Sequence, residues 1–328
     1  MKKLFSLLLI FIILSLTISD VSAEERKFAA ALVVETGIVG EKGGILLDKG
    51  KLIFEPGFAY THITSNKLDI TGFTVLPALI IGIIQVEKIE RDFLVPSMTF
   101  KYGITDSLEF DLKIPYFVRH DKIIFGVEPD RVEDKVSESG IGDIEAVILK
   151  QLIHEKGAIP DIVSSIKIKS PSGKEPYNLP TRIEGNFTIP EELPLGSGHW
   201  AVEPGLTFVK TSDPAILFAN ISYFWHIKKD VGGIGTVDPG DSINYSLGLA
   251  YALNEKLAVS TSFEQKFFTS NTVDGHEQVE SDINVASLLF GSSFLFSDKS
   301  TLNLTFQIGL TPDSPDFQIT MQVPISIL

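Results

Sequence analysis

The sequence predicts an all-β chain: a transmembrane, antiparallel, up-and-down β-barrel of 12 or 14 strands behind a cleaved N-terminal signal peptide. Three observations predict it. Beyond residue 50 the hydrophobic period is two almost throughout, which is the pattern of strands with one apolar face. Many of these runs span 9–13 residues. A tilted strand needs ~9–11 to cross a bilayer, whereas globular strands average ~5–6. The connections alternate short and long, as they do when turns lie on one side of a membrane and loops on the other.

Composition looks contradictory until the barrel is assumed. The 328 residues are 44% hydrophobic and carry a net charge of −14, with a mean hydropathy of +0.21. That is greasy for a soluble acidic protein. In a barrel the apolar half faces lipid and most of the acidic surplus belongs to loops. The negative balance excludes a nucleic-acid partner, because phosphate selects for basic surfaces. With no cysteine, disulfide frameworks, thiolate nucleophiles and Cys-ligated zinc are all excluded.

At the N-terminus, Lys2 and Lys3 precede an apolar run over 4–18 and a Val21-Ser22-Ala23 cleavage site. Residues 1–23 therefore read as a signal peptide, too short for a comfortable span. Export without cysteine fits a bacterial envelope and the Gram-negative outer membrane. Residues 24–49 form a periplasmic lead-in or plug, and 50–328 form the barrel. Alternation is clearest in 243–253, where Ile243, Tyr245, Leu247, Leu249, Tyr251 and Leu253 interleave with Asn244, Ser246, Gly248, Ala250 and Ala252. It recurs at 52–62, 94–102, 108–118, 162–168, 200–208, 217–227, 257–267, 286–296, 302–310 and 317–327. Short turns fall at 103–107, 154–160, 211–214, 254–255 and 297–300; long loops fall at 120–139, 171–199, 228–241 and 270–282. Both ends of an even barrel must be periplasmic, so 68–91 supplies either two strands or none. Two short strands hinged near Pro77 are favoured, with a lumenal plug or short helix as the alternative.

Several segments then resemble a known family. They are Lys101-Tyr-Gly-Ile-Thr-Asp-Ser-Leu-Glu-Phe110, Ile114-Pro-Tyr116, Gly140-Ile-Gly-Asp-Ile144, Ser170-Pro-Ser-Gly173, Gly196-Ser-Gly198 and Asn220-Ile-Ser-Tyr223, in that order. Gly43-Gly-Ile-Leu-Leu-Asp-Lys-Gly50 and Leu76-Pro-Ala-Leu-Ile-Ile-Gly82 lie upstream. Together they resemble the outer-membrane, transporter-like family named for a putative MetA-pathway of phenol degradation. Pro-Ser-Gly stands here where that family usually carries Pro-Thr-Gly. The resemblance implies an outer-membrane barrel with a transport role. On physical grounds Gly103 and Gly140 suit strand ends, and Asp143 can cap its loop-to-strand junction.

Projecting the alternation turns twelve charged side chains inward: Glu55, Lys101, Glu109, Asp111, Lys113, Arg119, Glu145, Lys167, Lys169, Glu203, Glu264 and Lys266. Six acids and six bases suggest cross-strand ion pairs. They suit either a polar pore that screens permeants by charge or a crowded, salt-bridged lumen. Lumenal aromatics are sparse, Phe93, Phe117 and Phe268 among them. Enzyme motifs are lacking: there is no Gly-x-Ser-x-Gly, His-Glu-x-x-His or Gly-x-x-x-x-Gly-Lys-Ser/Thr. A Ser–His pair of Ser246 and His226 and a Ca²⁺ loop among the acids of 121–138 are the lesser chemical readings, with a solvated loop face favoured over Ca²⁺. No catalytic residue, metal or cofactor is expected. The expected partners are the lipid bilayer, the barrel-assembly machinery and a small-molecule permeant. The expected function is a passive outer-membrane channel for small molecules, hydrophobic or aromatic ones by resemblance. A non-conducting structural or surface-recognition barrel and an outer-membrane hydrolase are the alternatives.

Overall fold

A computed structural model of the chain describes residues 46–65, 86–125, 132–184, 187–212, 215–278, 281–297 and 299–327. Among these, every regular element of more than one residue is a β-strand. The barrel opens with β1 (Leu52–Ser65), β2 (Val86–Thr105) and β3 (Leu108–Phe125). β4 (Val132–Ile141) and β5 (Glu145–Ile153) both pair with β3 and are two halves of one strand, broken at 142–144. β6 (Asp161–Lys169) follows. Two short strands, β7 (Thr181–Glu184) and β8 (Phe187–Pro190), make a hairpin inside the next loop. The wall continues with β9 (Ala201–Ser212) and β10 (Ala215–His226). After β11 (Lys229–Val231) and β12 (Gly235–Asp238) come β13 (Ser242–Asn254) and β14 (Leu257–Phe268). β15 (Thr272–Val273) and β16 (His276–Glu277) precede β17 (Ile283–Ser297) and β18 (Ser300–Gly309). The last strand is again in two halves, β19 (Phe317–Gln322) and β20 (Ile325–Ser326), interrupted at Pro324, which has no N–H to donate.

The sheet runs antiparallel throughout and closes when β19 pairs with β1, Tyr60 opposite Ile319. Counting each broken strand once gives twelve barrel strands. The fourteen-strand alternative is corrected by the first hairpin. β1 and β2 pair along their whole length, from Leu52 opposite Tyr102 to Ser65 opposite Ile89, leaving no place for strands between them. Of the segment expected to supply two strands, 86–91 begins β2, and 68–85 lies outside the described residues. The signal peptide and most of the lead-in also lie outside them.

The first long loop is shorter than the sequence suggested. β3 runs on to Phe125 and β4 starts at Val132, so this hairpin carries the sheet past the apolar belt. Hydrophobic alternation fades there because charged pairs replace lipid contacts; Lys122 lies 3.4 Å from Glu133 across the two strands. Two other loops share a four-stranded sheet of β11, β12, β15 and β16, closed over Val237, which is fully buried.

Outside, the barrel exposes Phe58, Met98, Ile166, Leu206, Ile221, Leu247, Phe306 and Ile319. Such a continuous apolar band would be a liability in water and is the expected face toward lipid. Trp200, Trp225, Tyr116 and Tyr223 stand exposed at the loop end, with Tyr102 and Phe296 at the turn end. These two aromatic sets occupy the positions of interfacial girdles. The loop end is accordingly extracellular and the turn end periplasmic.

Candidate functional site in the barrel lumen

Strand register sorts the predicted charges into two adjacent rows. One row runs Lys101, Asp111, Val147, Lys167, Glu203, each opposite the next across β2, β3, β5, β6 and β9. The other runs Thr99, Lys113, Glu145, Lys169. Signs alternate along each row, so every charge has an opposite neighbour within cross-strand reach. Lys101 Nζ donates to Glu55 at 3.0 Å, and Glu55 also accepts from Gln322 Nε2 at 2.9 Å. Lys167 is ion-paired with Glu203. Lys169 reaches Asp143 at 3.3 Å and lies 5.5 Å from the Phe224 ring. Arg119, 2% exposed, belongs to a separate knot: it binds both Asp121 oxygens at 2.8 and 2.7 Å, and Asp121 also takes Arg91 at 2.9 Å. Glu264 stands opposite Ser246 and Ser287, and Lys266 opposite Asn244 and Val285, on the far wall.

Between these walls lies a cavity of about 360 Å³. Asp111, Lys167, Glu203 and Glu264 reach it, with the hydroxyls of Ser165, Ser222, Ser246, Ser260 and Ser262 and the ring of Phe218. Of the twelve residues, these four meet at one chamber; the other eight are not in its lining.

Both ends of the lumen are narrowed by segments the alternation did not place. At the periplasmic end Leu46 packs among Leu149, Val163, Val209, Ile216, Phe218, Ala250, Ala252 and Ala258. Its neighbour is fixed by hydrogen bonds: Leu47 N–H donates to Glu109 Oε2 at 2.6 Å and Gly50 N–H to Gly103 O at 2.7 Å. Gly103 is required there, since a Cβ would collide with the Leu47 and Asp48 carbonyls. At the extracellular end Leu195 packs against Ile63, Phe93, Val95 and Phe117, and Arg119 Nη1 donates to Pro194 O at 2.9 Å.

The motif residues converge on the break between β4 and β5. Asp143 accepts from Gly173 N–H at 3.1 Å and from Ser197 N–H and Oγ–H at 2.8 and 2.7 Å. Ser172 Oγ accepts from Ile144 N–H at 2.8 Å and donates to Gly142 O at 2.9 Å. Gly173 and Gly196 cross so closely that a Cβ on the first would lie 2.8 Å from the second's Cα. Gly-Asp, Pro-Ser-Gly and Gly-Ser-Gly are thus one latch, holding the 171–199 loop over the mouth.

His199, 1% exposed, completes that loop. Its Nδ1–H donates to Ile227 O at 2.9 Å, so Nε2 accepts from Tyr177 O–H. Burial holds its pKa below the ordinary value, against the bond to Ile227 and with help from Lys229. An undocked loop takes up a proton first, near pH ~6.5 for a free imidazole. Docking is therefore strongest above that pH and weakens as pH falls toward the docked value. Tryptic cleavage of the loop in reconstituted protein, divided at each pH by the cleavage rate of an unfolded reference peptide, is expected to be faster at pH 5 than at pH 7.5. A flat profile, or one unchanged in His199→Gln, removes His199 as its cause.

The other chemistry weighed from sequence is not assembled. Ser246 pairs with Asn220, six residues along β10 from His226, about 20 Å at strand rise. Asp121 is taken by two arginines, Glu133 by Lys122, and Glu138 by Lys174 at 2.5 Å. No group of three or more His, Asp or Glu among the described residues is placed to hold a metal ion.

Several solved structures are similar to this chain. The COG4313 outer membrane channel from Pseudomonas putida F1 superposes with a TM-score of 0.60 at 16% identity, covering 86% of this chain and 97% of that one. The P. putida toluene transporter TodX gives 0.43 at 12% identity, over 84% and 89% of the two chains. The translocator domain of the autotransporter NalP from Neisseria meningitidis gives 0.46 at 9%, over 93% and 99%. The sequence profile of one family matches residues 40–325, nearly the whole barrel with the end of its lead-in. The chain belongs to the family described as Putative MetA-pathway of phenol degradation.

Proposed function

We propose that this barrel is a passive outer-membrane channel for small molecules, hydrophobic or aromatic ones among them. The observation that carries the proposal is the lumenal cavity, lined by charge and hydroxyl, with apolar clusters around Leu46 and Leu195 narrowing the lumen on either side. The COG4313 relative, whose fold it shares, is itself an outer membrane channel. In this scheme residues 1–23 are a signal peptide, 24–49 are a periplasmic lead-in or plug, and the barrel-assembly machinery inserts the mature chain. The twelve predicted charges act as a screen, with the cross-strand rows keeping the wall rigid while the cavity stays polar. Refolded protein in a planar bilayer is expected to give discrete current steps, and proteoliposomes to pass small solutes. Absence of both sinks the proposal.

A non-conducting surface-recognition barrel is the second possibility, favoured by the closure of both mouths and by the sheet built from two external loops. Deleting 126–131, the residues between β3 and β4, separates the two and leaves Asp121 with its arginines. Loss of cell-surface binding with unchanged permeability points to recognition.

A further inference from the structure

We infer that the lumenal cavity is a binding site for small amphiphilic ammonium ions, with Asp111 and Glu264 taking the charge and Phe218 the apolar body. This deepens the channel proposal and rests on it only for how the ligand arrives.

The cavity wall brings three carboxylates, Asp111, Glu203 and Glu264, against one ammonium, Lys167. Lys167 and Glu203 satisfy each other, and Glu203 also accepts from Ser222 Oγ at 2.5 Å and Asn244 Nδ2 at 3.0 Å. Two acidic side chains remain. Asp111 is only 9% exposed, and its Oδ1 is enclosed with no hydrogen-bond partner. Its facing cation, Lys101, is held by Glu55 at 3.0 Å, and its next inward neighbour on β3 is another carboxylate, Glu109. Glu264 faces only serines in the ladder, while Lys266 lies two residues further along β14.

Asp111 Oδ1 is itself enclosed, so a ligand meets the chamber's excess of three carboxylates over one ammonium, an excess that costs least when a cation offsets it. The rest of the lining fits the remainder of such a ligand. Phe218 supplies an aromatic ring, which favours cations, and Leu149 and Leu289 supply aliphatic surface. An anion would meet three carboxylates against one ammonium. A neutral hydrocarbon would leave the acidic excess of the lining uncompensated. A protonated amine on a small apolar body satisfies both walls, and the volume of about 360 Å³ falls in the range of small-molecule pockets.

Three probes of one shape and different charge test this: benzylammonium, benzyl alcohol and benzoate, titrated calorimetrically into the detergent-refolded full barrel. Benzylammonium is expected to bind, benzyl alcohol about tenfold or more weakly, the worth of one charge-assisted hydrogen bond, and benzoate not at all. Asp111→Asn and Glu264→Gln are each expected to erase most of the gap between amine and alcohol. A heat-modifiable gel shift certifies the fold of each variant. If Asp111→Asn fails to fold, the less buried Glu264→Gln still decides. Equal binding of amine and alcohol, or binding indifferent to the variants, overturns the inference. Amine binding in a barrel that passes no current or solute leaves the site standing and removes the channel proposal; flux with no charge preference among the probes does the reverse.

Discussion

Replacing Leu46 by Asp is expected to raise the single-channel conductance of the reconstituted barrel severalfold. Leu46 is 5% exposed and touches inward side chains from β5, β6, β9, β10, β13 and β14, half the circumference of the periplasmic mouth. Ala250, Ala252 and Ala258 are small enough to leave the space its side chain fills. A carboxylate cannot stay among those residues without a partner. The backbone anchors that follow, Leu47 to Glu109 and Lys49 to Asp106 at 3.1 Å, then work against an expelled segment. Glu109→Gln keeps an acceptor oxygen but loses its charge, so it is expected to loosen the lead-in less than Leu46→Asp does. Planar-bilayer recording ranks the three proteins directly. If Leu46→Asp conducts like the unaltered chain, the lead-in does not occlude the lumen.

The lipid-facing half of this protein is legible in its sequence, and the lumen-facing half only in part. Bilayer hydrocarbon makes one demand on every outward residue, so Leu247, Ile319 and their like repeat every second position. The lumen makes different demands at different heights. Near the turns it is apolar, and in Ala215-Ile-Leu-Phe218 both parities are then hydrophobic. The alternation names Leu217 as outward but gives no reason for Ile216 and Phe218. Their reason is Leu46, some 170 residues away in the chain. Charge pairing divides in the same way. Lys101 opposite Asp111 is set locally, by the tight turn between β2 and β3 together with the one-residue register shift between Gly103 and Thr105. Lys167 opposite Glu203 spans the longest external loop, and no local rule fixes it. Strand number was undecided for a related reason: parity allows both twelve and fourteen, and only the pairing of β1 with β2 chooses. The motif glycines and serines could be read as strand-end residues. That they meet at Asp143 depends on the 171–199 loop folding inward rather than away.

That convergence makes Asp143→Ala the substitution with the largest expected effect at the extracellular mouth. The carboxylate is 6% exposed and accepts three hydrogen bonds from Gly173 and Ser197 while pairing with Lys169, itself 5% exposed. Alanine leaves the Gly173 and Ser197 N–H groups without an acceptor, the Ser197 hydroxyl with only His199 O at 3.1 Å, and one buried ammonium without its closest partner. Breaking a buried pair from one side costs about 3–5 kcal/mol, and local openings need less free energy than global unfolding. The 171–199 loop is therefore expected to undock for most of the time. The twelve-strand ladder does not use the Asp143 side chain, so heat-modifiable migration is expected to persist. Trypsin reads the difference in proteoliposomes. Lys174 is now tied to Glu138 and Glu192, and Arg182 lies 2.8 Å from Asp134, so both are guarded in the docked loop. Cleavage at these two residues should be at least tenfold faster in Asp143→Ala, since ~1.4 kcal/mol is already a factor of ten. Asp143→Asn keeps an acceptor and loses only the charge, and it is expected to fall between the two. If the alanine variant resists trypsin as the unaltered chain does, the family's Gly-Asp, Pro-Ser-Gly and Gly-Ser-Gly segments are neighbours at a strand break and not a latch. If it is cleaved and its conductance also rises, one side chain couples the docking of an external loop to the width of the lumen.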